Sequence, residues 1–181
     1  NTQQFTVGKN HLNFEAEGVS NYSIAYLANN YALSHFSSAV FNVELLYGNN
    51  VFLAFLTDKN NISIKTNKGS VLRNAVLGGV NTLFDTQNPH LFYHLPAAKT
   101  SHPILDFYLV NTAISADGNK VKVTINETEF IITKWAAYQV EGVPNGKNTV
   151  RLQLLNQENL PIEGPFNDSG ERYFSVSSEK L

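Results

Sequence analysis

The sequence predicts an all-β protein made of two related modules, and three observations carry that reading. Apolar and polar residues alternate with the period of a half-buried strand in segment after segment, with Gly, Asn, Asp or Pro punctuation about every 8 to 12 residues. No stretch keeps an apolar stripe at helical spacing long enough to make an amphipathic helix. Residues 136 to 155 repeat residues 39 to 56: Phe41 matches Tyr138, Val43 matches Val140, Glu44 matches Glu141, Gly48 matches Gly146, Asn50 matches Asn148, Val51 matches Val150 and Leu53 matches Leu152, with short gaps at the turn. Each copy reads as a hairpin. In the second, Pro144 presets a turn torsion, and Asn145 and Gly146 tolerate positive φ. Together these point to a duplication, and to two tandem immunoglobulin-like β-sandwich modules, residues 1 to 78 and 79 to 181.

Taken in order, Phe5-Thr-Val7 and Leu12-Asn-Phe14-Glu-Ala16 alternate around Gly8-Lys-Asn10 as two short strands or one bent strand. Tyr22-Ser-Ile24-Ala-Tyr26-Leu27 is a strand ended by the turn pair Asn29-Asn30, and 31 to 36 continues with Leu33 inward. The first repeat follows, then the turn Asp58-Lys-Asn-Asn61 and the short alternation Ile62-Ser-Ile64. Residues 70 to 84 leave two readings. Val71, Leu72, Ala75 and Val76 also mark one helical turn, but Gly78-Gly79 opposes a long helix, and the module boundary falls near here. Leu91-Phe-Tyr93 is a short strand, and 96 to 103 is a loop. Ile104-Leu-Asp-Phe-Tyr-Leu-Val110 is apolar nearly throughout, as in a central strand covered on both faces. Asp117-Gly118-Asn119 is a hairpin turn into Val121-Lys-Val123-Thr-Ile125, Asn126 turns the chain into Phe130-Ile-Ile132, and Tyr173-Phe-Ser-Val176 closes the second module.

With 181 residues, 43% of them hydrophobic, the chain has enough apolar surface for packed cores. A net charge of -2 with 13 scattered basic residues offers no stripe for a phosphate backbone, so nucleic acid is not an expected partner. Without cysteine there is no disulfide, thiol nucleophile or thiolate metal site. No apolar run approaches the roughly 20 residues of a membrane-spanning helix, so any membrane association is expected through a partner. A chain with no methionine that starts Asn1-Thr-Gln-Gln reads as an exported product after signal removal, a trace that a tag protease would also leave.

Chemistry is sparse. His90-x-x-x-His94, with His102 following, is the one histidine cluster. On a helix capped by Asn88 the first two imidazoles would share a metal, whereas on a strand they sit about 13 Å apart, too far for one ion. Asp117, Asn119 and Asp168 offer oxygen ligands for calcium, although turns need the same residue types for backbone reasons. Arg172 either forms a rim salt bridge with Asp168 or presents a cation to an anionic ligand. Tyr47, Tyr93 and Tyr108 either fill a core or line a recognition surface. Glu127 and Glu129 read as carboxylates sharing a strand face beside Lys120 and Lys122. No Gly-x-Ser-x-Gly elbow, His-Glu-x-x-His or phosphate-cradling loop is present, so neither an enzyme nor a cofactor is expected.

Asp106-Phe-Tyr-Leu-Val-Asn111, Asn119-Lys-Val-Lys-Val-Thr-Ile-Asn126, Phe130, Lys134-Trp135, Tyr138, Glu141-Gly-Val-Pro144, Gly164-Pro-Phe-Asn167 and Glu171-Arg172 resemble a family of bacterial envelope proteins. These are secreted or lipid-anchored, duplicated β-sandwich proteins of Bacteroidota-type bacteria, often labelled phosphopeptide-binding. The resemblance covers 104 to 177 and is weaker in the first half, resting there on Gly48, Leu53-Ala-Phe-Leu56 and Ser63-Ile-Lys65. Members often carry a His-x-His pair where this chain has Ser23 and Ala25, so a metal role of those imidazoles does not transfer. What the resemblance implies is a non-enzymatic exported protein, in the periplasm, on the outer membrane or outside the cell, serving as a binding or accessory subunit of an envelope assembly. The alternative is a module binding a small ligand or metal ion. Structural roles are expected for Phe41 and Tyr138, matched in the repeat, and for Trp135, the single tryptophan, paired with Phe36 as the aromatic preceding the other copy and expected to be fully buried.

Overall fold

The computed structural model describes residues 4 to 79, 84 to 97 and 100 to 177. The first three residues, part of the ambiguous segment (80 to 83) and part of the expected loop (98 and 99) therefore lie outside the described residues. The fold is all-β, with thirteen strands and no helix among the described residues. The chain divides into two compact units, Asn1–Gln87 and Asn88–Leu181.

Unit 1 holds β1 (Gly8–Asn13), β2 (Ser23–Ala28), β3 (Ala32–Phe36), β4 (Val40–Leu45), β5 (Gly48–Thr57) and β6 (Ser70–Leu77). The last of these settles the ambiguous segment as strand. One antiparallel sheet runs β3-β2-β5-β6, and β1 pairs with β4 in a second. Tyr26, Phe41, Val43, Phe52 and Ala54 fill the core between them. Leu27, Leu53 and Phe55, on the other face of β2 and β5, are buried as well, so β5 is covered on both faces.

Unit 2 holds β7 (His90–His94), β8 (Ile104–Val110), β9 (Lys120–Ile125), β10 (Thr128–Ile132), β11 (Tyr138–Gln139), β12 (Gly146–Leu155) and β13 (Arg172–Val176). Its sheets run β10-β9-β12-β13 and β11-β8-β7, over a core of Leu91, Tyr93, Phe107, Val123, Leu152 and their neighbours. Each strand of unit 1 has a counterpart seven elements on with the same partners; β7 alone has none.

The repeated segment is not a hairpin. β4 pairs with β1 while β5 pairs with β2 and β6, and likewise β11 pairs with β8 while β12 pairs with β9 and β13. The chain therefore crosses from one sheet to the other, because the apolar residues on either side of the turn face each other across the core instead of lying side by side. Asp117-Gly118-Asn119 is likewise part of a crossing, from β8 to β9, with Ser115 N–H donating to the Asn119 carbonyl (3.0 Å).

What holds these crossings is one device used repeatedly. Asn50 is buried, its Nδ2 donating to the Leu46 carbonyl (2.7 Å) while its Oδ1 accepts from Leu46 N–H (2.9 Å). Asn148 does the same from the other unit, Nδ2 reaching the Pro144 (2.9 Å) and Gly146 (3.1 Å) carbonyls. Pro144 has no N–H, and Asn148 Oδ1 instead accepts from Asn126 Nδ2 (2.8 Å). The glycine two residues before each asparagine has a φ of 102° or 94°, which only glycine adopts without strain. Asn10 closes a third copy at the start of β1, on the Thr6 (2.7 Å) and Gly8 (2.8 Å) carbonyls.

With Gly48, Asn50 and β5 superimposed on Gly146, Asn148 and β12, the repeat alignment beyond the asparagine shifts by one residue. Val51 falls on Thr149, Phe52 on Val150 and Ala54 on Leu152; the Asn29 carboxamide accepts from Val51 N–H (2.8 Å) as that of Asn126 accepts from Thr149 N–H (3.0 Å). Leu53 is therefore no counterpart of Leu152, because a shift of one residue turns a strand side chain to the opposite face. Trp135 is not the counterpart of Phe36 either. The β2–β3 turn has one residue more than the β9–β10 turn, so Phe36, opposite Ile24, occupies the place of Ile132, opposite Val121.

Asn50→Ala and Asn148→Ala should each lower stability by about 1 to 3 kcal/mol in urea unfolding, since both leave part-buried backbone groups without their partner. The exposed neighbour Asn145→Ala should fall within about 0.5 kcal/mol of the parent.

Candidate binding groove

β10 is the edge of one sheet of unit 2 and β11 the edge of the other. Their register sets what each presents. Phe130 lies opposite Val123 and Ile132 opposite Val121, so both point inward, while Ile131 opposite Lys122 points to the polar outer face. Yet Phe130 is 50% exposed and Ile131 51%. The reason is a groove of about 520 Å³ between the two edges, floored by Leu105, Val123 and Ile125 and walled by Phe130, Tyr138 and Val143. Asn126, Thr128, Gln139 and Glu141 form its polar rim. In unit 1 the corresponding opening is closed, Phe36 stacking on Phe41 at 4.0 Å between ring centroids with Phe14 on Phe41 at 5.4 Å.

Among the described residues, no histidine and no cationic side chain lines the groove, and Glu141 is the one carboxylate. The Tyr138 hydroxyl is committed to the Lys134 carbonyl (2.6 Å), and partial burial raises its pKa. Nothing there pairs a nucleophile with a base. The arrangement can bury apolar side chains and offer the free backbone edge of β10 to another strand, since among the described residues no strand lies beyond it. Glu129-Phe-Ile-Ile132 carries the signal in the sequence, because Phe130, Ile131 and Ile132 in succession put apolar side chains on both faces of the strand, which at a sheet edge leaves some of them exposed.

The residues expected to carry chemistry are dispersed. His90 and His94 lie on a strand. His90 is buried, His94 Nε2 lies 3.6 Å from Asp106 Oδ2, and His102 is bonded to its neighbour Ser101 (2.8 Å). Among the described residues no three His, Cys, Asp or Glu side chains are placed to share an ion. Asp117 is exposed in the β8–β9 crossing, Asn119 Nδ2 donates to Thr112 Oγ1 (3.0 Å), and Asp168 is bound by Arg151 and Gln153. Tyr93 and Tyr108 are fully buried, so neither lines a surface; Tyr47 is exposed. Glu129 bonds Lys122 (3.1 Å), but Glu127 sits in the β9–β10 turn and shares no strand face with it, while Lys120 donates to the Gly118 (3.0 Å) and Gln157 (3.2 Å) carbonyls.

Arg172 does not pair with Asp168. It faces the core opposite Val150, and its guanidinium donates to the Tyr93 carbonyl (3.0 Å) and the Ser169 carbonyl (3.2 Å), tying β13 to the outer edge of β7. Burial pushes the Tyr93 hydroxyl pKa up, and the Arg172 charge opposes that shift. Trp135 performs the equivalent task at β8. It is half-buried, not fully buried, with its indole Nε1 donating to the Phe107 carbonyl (3.1 Å) and its ring edge-on to Tyr108 at 5.0 Å. Asn167, which the sequence presents only as a loop residue, is buried and joins Leu91 N–H (2.9 Å) and the Pro89 carbonyl (2.9 Å) to its own loop.

On the outer face, Arg151 grips Asp168 through both guanidinium arms, one Nε–Oδ1 bond being 2.8 Å. That hydrogen bond is the main cause of a lowered Asp168 pKa, relative to an ordinary 3.8. A carboxyl depressed in the folded state adds stability above 3.8 that is lost as pH falls through the lower folded value. Both side chains are more than a third exposed, so Asp168→Asn should cost less than about 1 kcal/mol at pH 7, and the gap should close as pH drops below 3.8 in thermal melts. Trp135→Ala should cost roughly half of the about 3 to 5 kcal/mol of a fully buried aromatic. Trp135→Phe, which keeps a ring but loses the donor, should cost about 1 kcal/mol by the same melts.

No protein-family model matches the chain, and no curated protein matches it.

Proposed function

We propose that the chain is a non-enzymatic binding or accessory subunit of an exported bacterial envelope assembly, acting through the β10 edge and its groove on an extended segment of a partner protein. One observation carries the reading: an unpaired edge strand with half-exposed Phe130 and Ile131 stands beside an open groove with an apolar floor and its polar groups on the rim. A small-ligand site would instead place several polar groups around an enclosed volume. The envelope setting rests on the resemblance of residues 104 to 177, and the recurrence of one strand order in both units supports a duplicated architecture.

Affinity capture from native envelope, read by mass spectrometry, tests this with two proteins. The parent should retain a partner that Ile131→Lys loses, since a charge on an edge strand blocks strand addition while leaving the melting temperature within a degree or two. Equal retention by both proteins, or no partner together with metal held through dialysis, overturns the proposal.

A further inference from the structure

Among the described residues, unit 1 has no strand in the position that β7 fills in unit 2. In unit 2, β7 runs antiparallel to β8, His94 opposite Asp106 and His90 opposite Val110. Leu12 lies opposite Phe41 as Leu105 lies opposite Tyr138, so β1 corresponds to the start of β8, and the stretch that β7 would pair with in unit 1 is residues 13 to 17. β8 remains regular along the whole length of β7, whereas β1 ends at Asn13. Residues 14 to 17 nonetheless keep the burial alternation of β1, Phe14 and Ala16 half-buried, Glu15 and Glu17 exposed.

A groove of about 560 Å³ occupies this place. Besides residues 14 to 17 it is lined by Ile24, Ala54 and Leu56, whose counterparts Val121, Leu152 and Leu154 lie in the core cluster that also holds Leu91 and Tyr93 of β7. Phe14 N–H donates to the Ala39 carbonyl (2.8 Å) on the β4 side, so by strand alternation the amide of the next residue, Glu15, faces the side away from β4. Arg73 repeats the position of Arg172, opposite Phe52 as Arg172 is opposite Val150, but it is exposed and its described bond is to the carbonyl of its own neighbour Leu72 (3.0 Å).

From this we infer that unit 1 accepts an extended strand from a partner polypeptide, antiparallel to residues 13 to 17. The incoming strand is apolar at the alternate positions that β7 fills with Leu91 and Tyr93, and basic opposite Glu15 and Glu17, with Arg73 donating to its carbonyl. Residues 5 and 6 do not supply it: Thr6 is clamped by Asn10, and Phe5 packs edge-on against Phe52 at 5.9 Å. This site is separate from the β10 groove and does not depend on it.

The test uses the 181-residue chain and a synthetic peptide of residues 88 to 96 with lysine in place of His90 and Phe92, the positions opposite Glu17 and Glu15, in fluorescence titration and amide hydrogen exchange. Saturable 1:1 binding, with exchange at Glu15 slowed by about tenfold or more, is expected. Glu15→Pro, which removes an amide donor from the vacant edge, should abolish binding without shifting the melting temperature of the free protein by more than a degree or two. Arg73→Met should weaken it several-fold, and a peptide with serine in place of Leu91 and Tyr93 should not bind. Absence of saturation at millimolar peptide, or protection confined to 128 to 143, overturns the inference. A protein extended upstream of Asn1 that shows the same protection without peptide, and rejects it, assigns the position to an intramolecular strand and overturns the partner source.

Discussion

The carboxamides of Asn50 and Asn148 are the constraint on which the rest of both units depends. A sandwich whose consecutive strands lie in different sheets must carry backbone across the end of an apolar core, where unpaired carbonyls and amides are costly. A glycine at positive φ makes the turn, and the asparagine behind it satisfies the exposed groups with a side chain that is itself buried. With the crossing pinned, Phe41 and Val43 on one side and Phe52 and Ala54 on the other are forced to meet as a core.

The two units then differ at their edges. Unit 1 closes its β3–β4 opening with stacked Phe36 and Phe41, but among the described residues it pairs no strand with residues 13 to 17 on the side away from β4. Unit 2 has β7 in that position, held by Arg172 and Asn167, but leaves Phe130 standing over an open groove. Edges are where a β protein either protects itself or recruits another chain. Trp135 and Arg172 belong to the protecting kind, each spending its donor on an outward carbonyl of an edge or short-paired strand.

This division also accounts for the scattered ionisable groups. Asp168 and Arg151 neutralise each other on the outer sheet face, Glu129 and Lys122 do so beside them, and His94 lies against Asp106. Lys122, Glu129 and Arg151 line one open concavity of that outer face with Glu127 and Glu171, where Glu129 is bound by Lys122 and Arg151 by Asp168.

The sequence by itself determined the all-β class, most strand positions, and the Gly-x-Asn signature in both copies, because alternation and positive-φ asparagine or glycine are local properties of the chain. Asn29-Asn30 and Asn126 fall at turns, with φ of 48°, 54° and 45°, for that local reason. Which strands pair was not local. Two apolar strands joined by a short turn read identically whether they lie side by side or face each other across a core, and only long-range packing chose the latter for β4–β5 and β11–β12. The one-residue shift that separates Leu53 from Leu152 and the burial of Tyr93 and Tyr108 followed from that choice. So did the positions of the two open edges, since the apolar run Phe130-Ile-Ile132 reads alike in an edge strand and in a strand with neighbours on both sides.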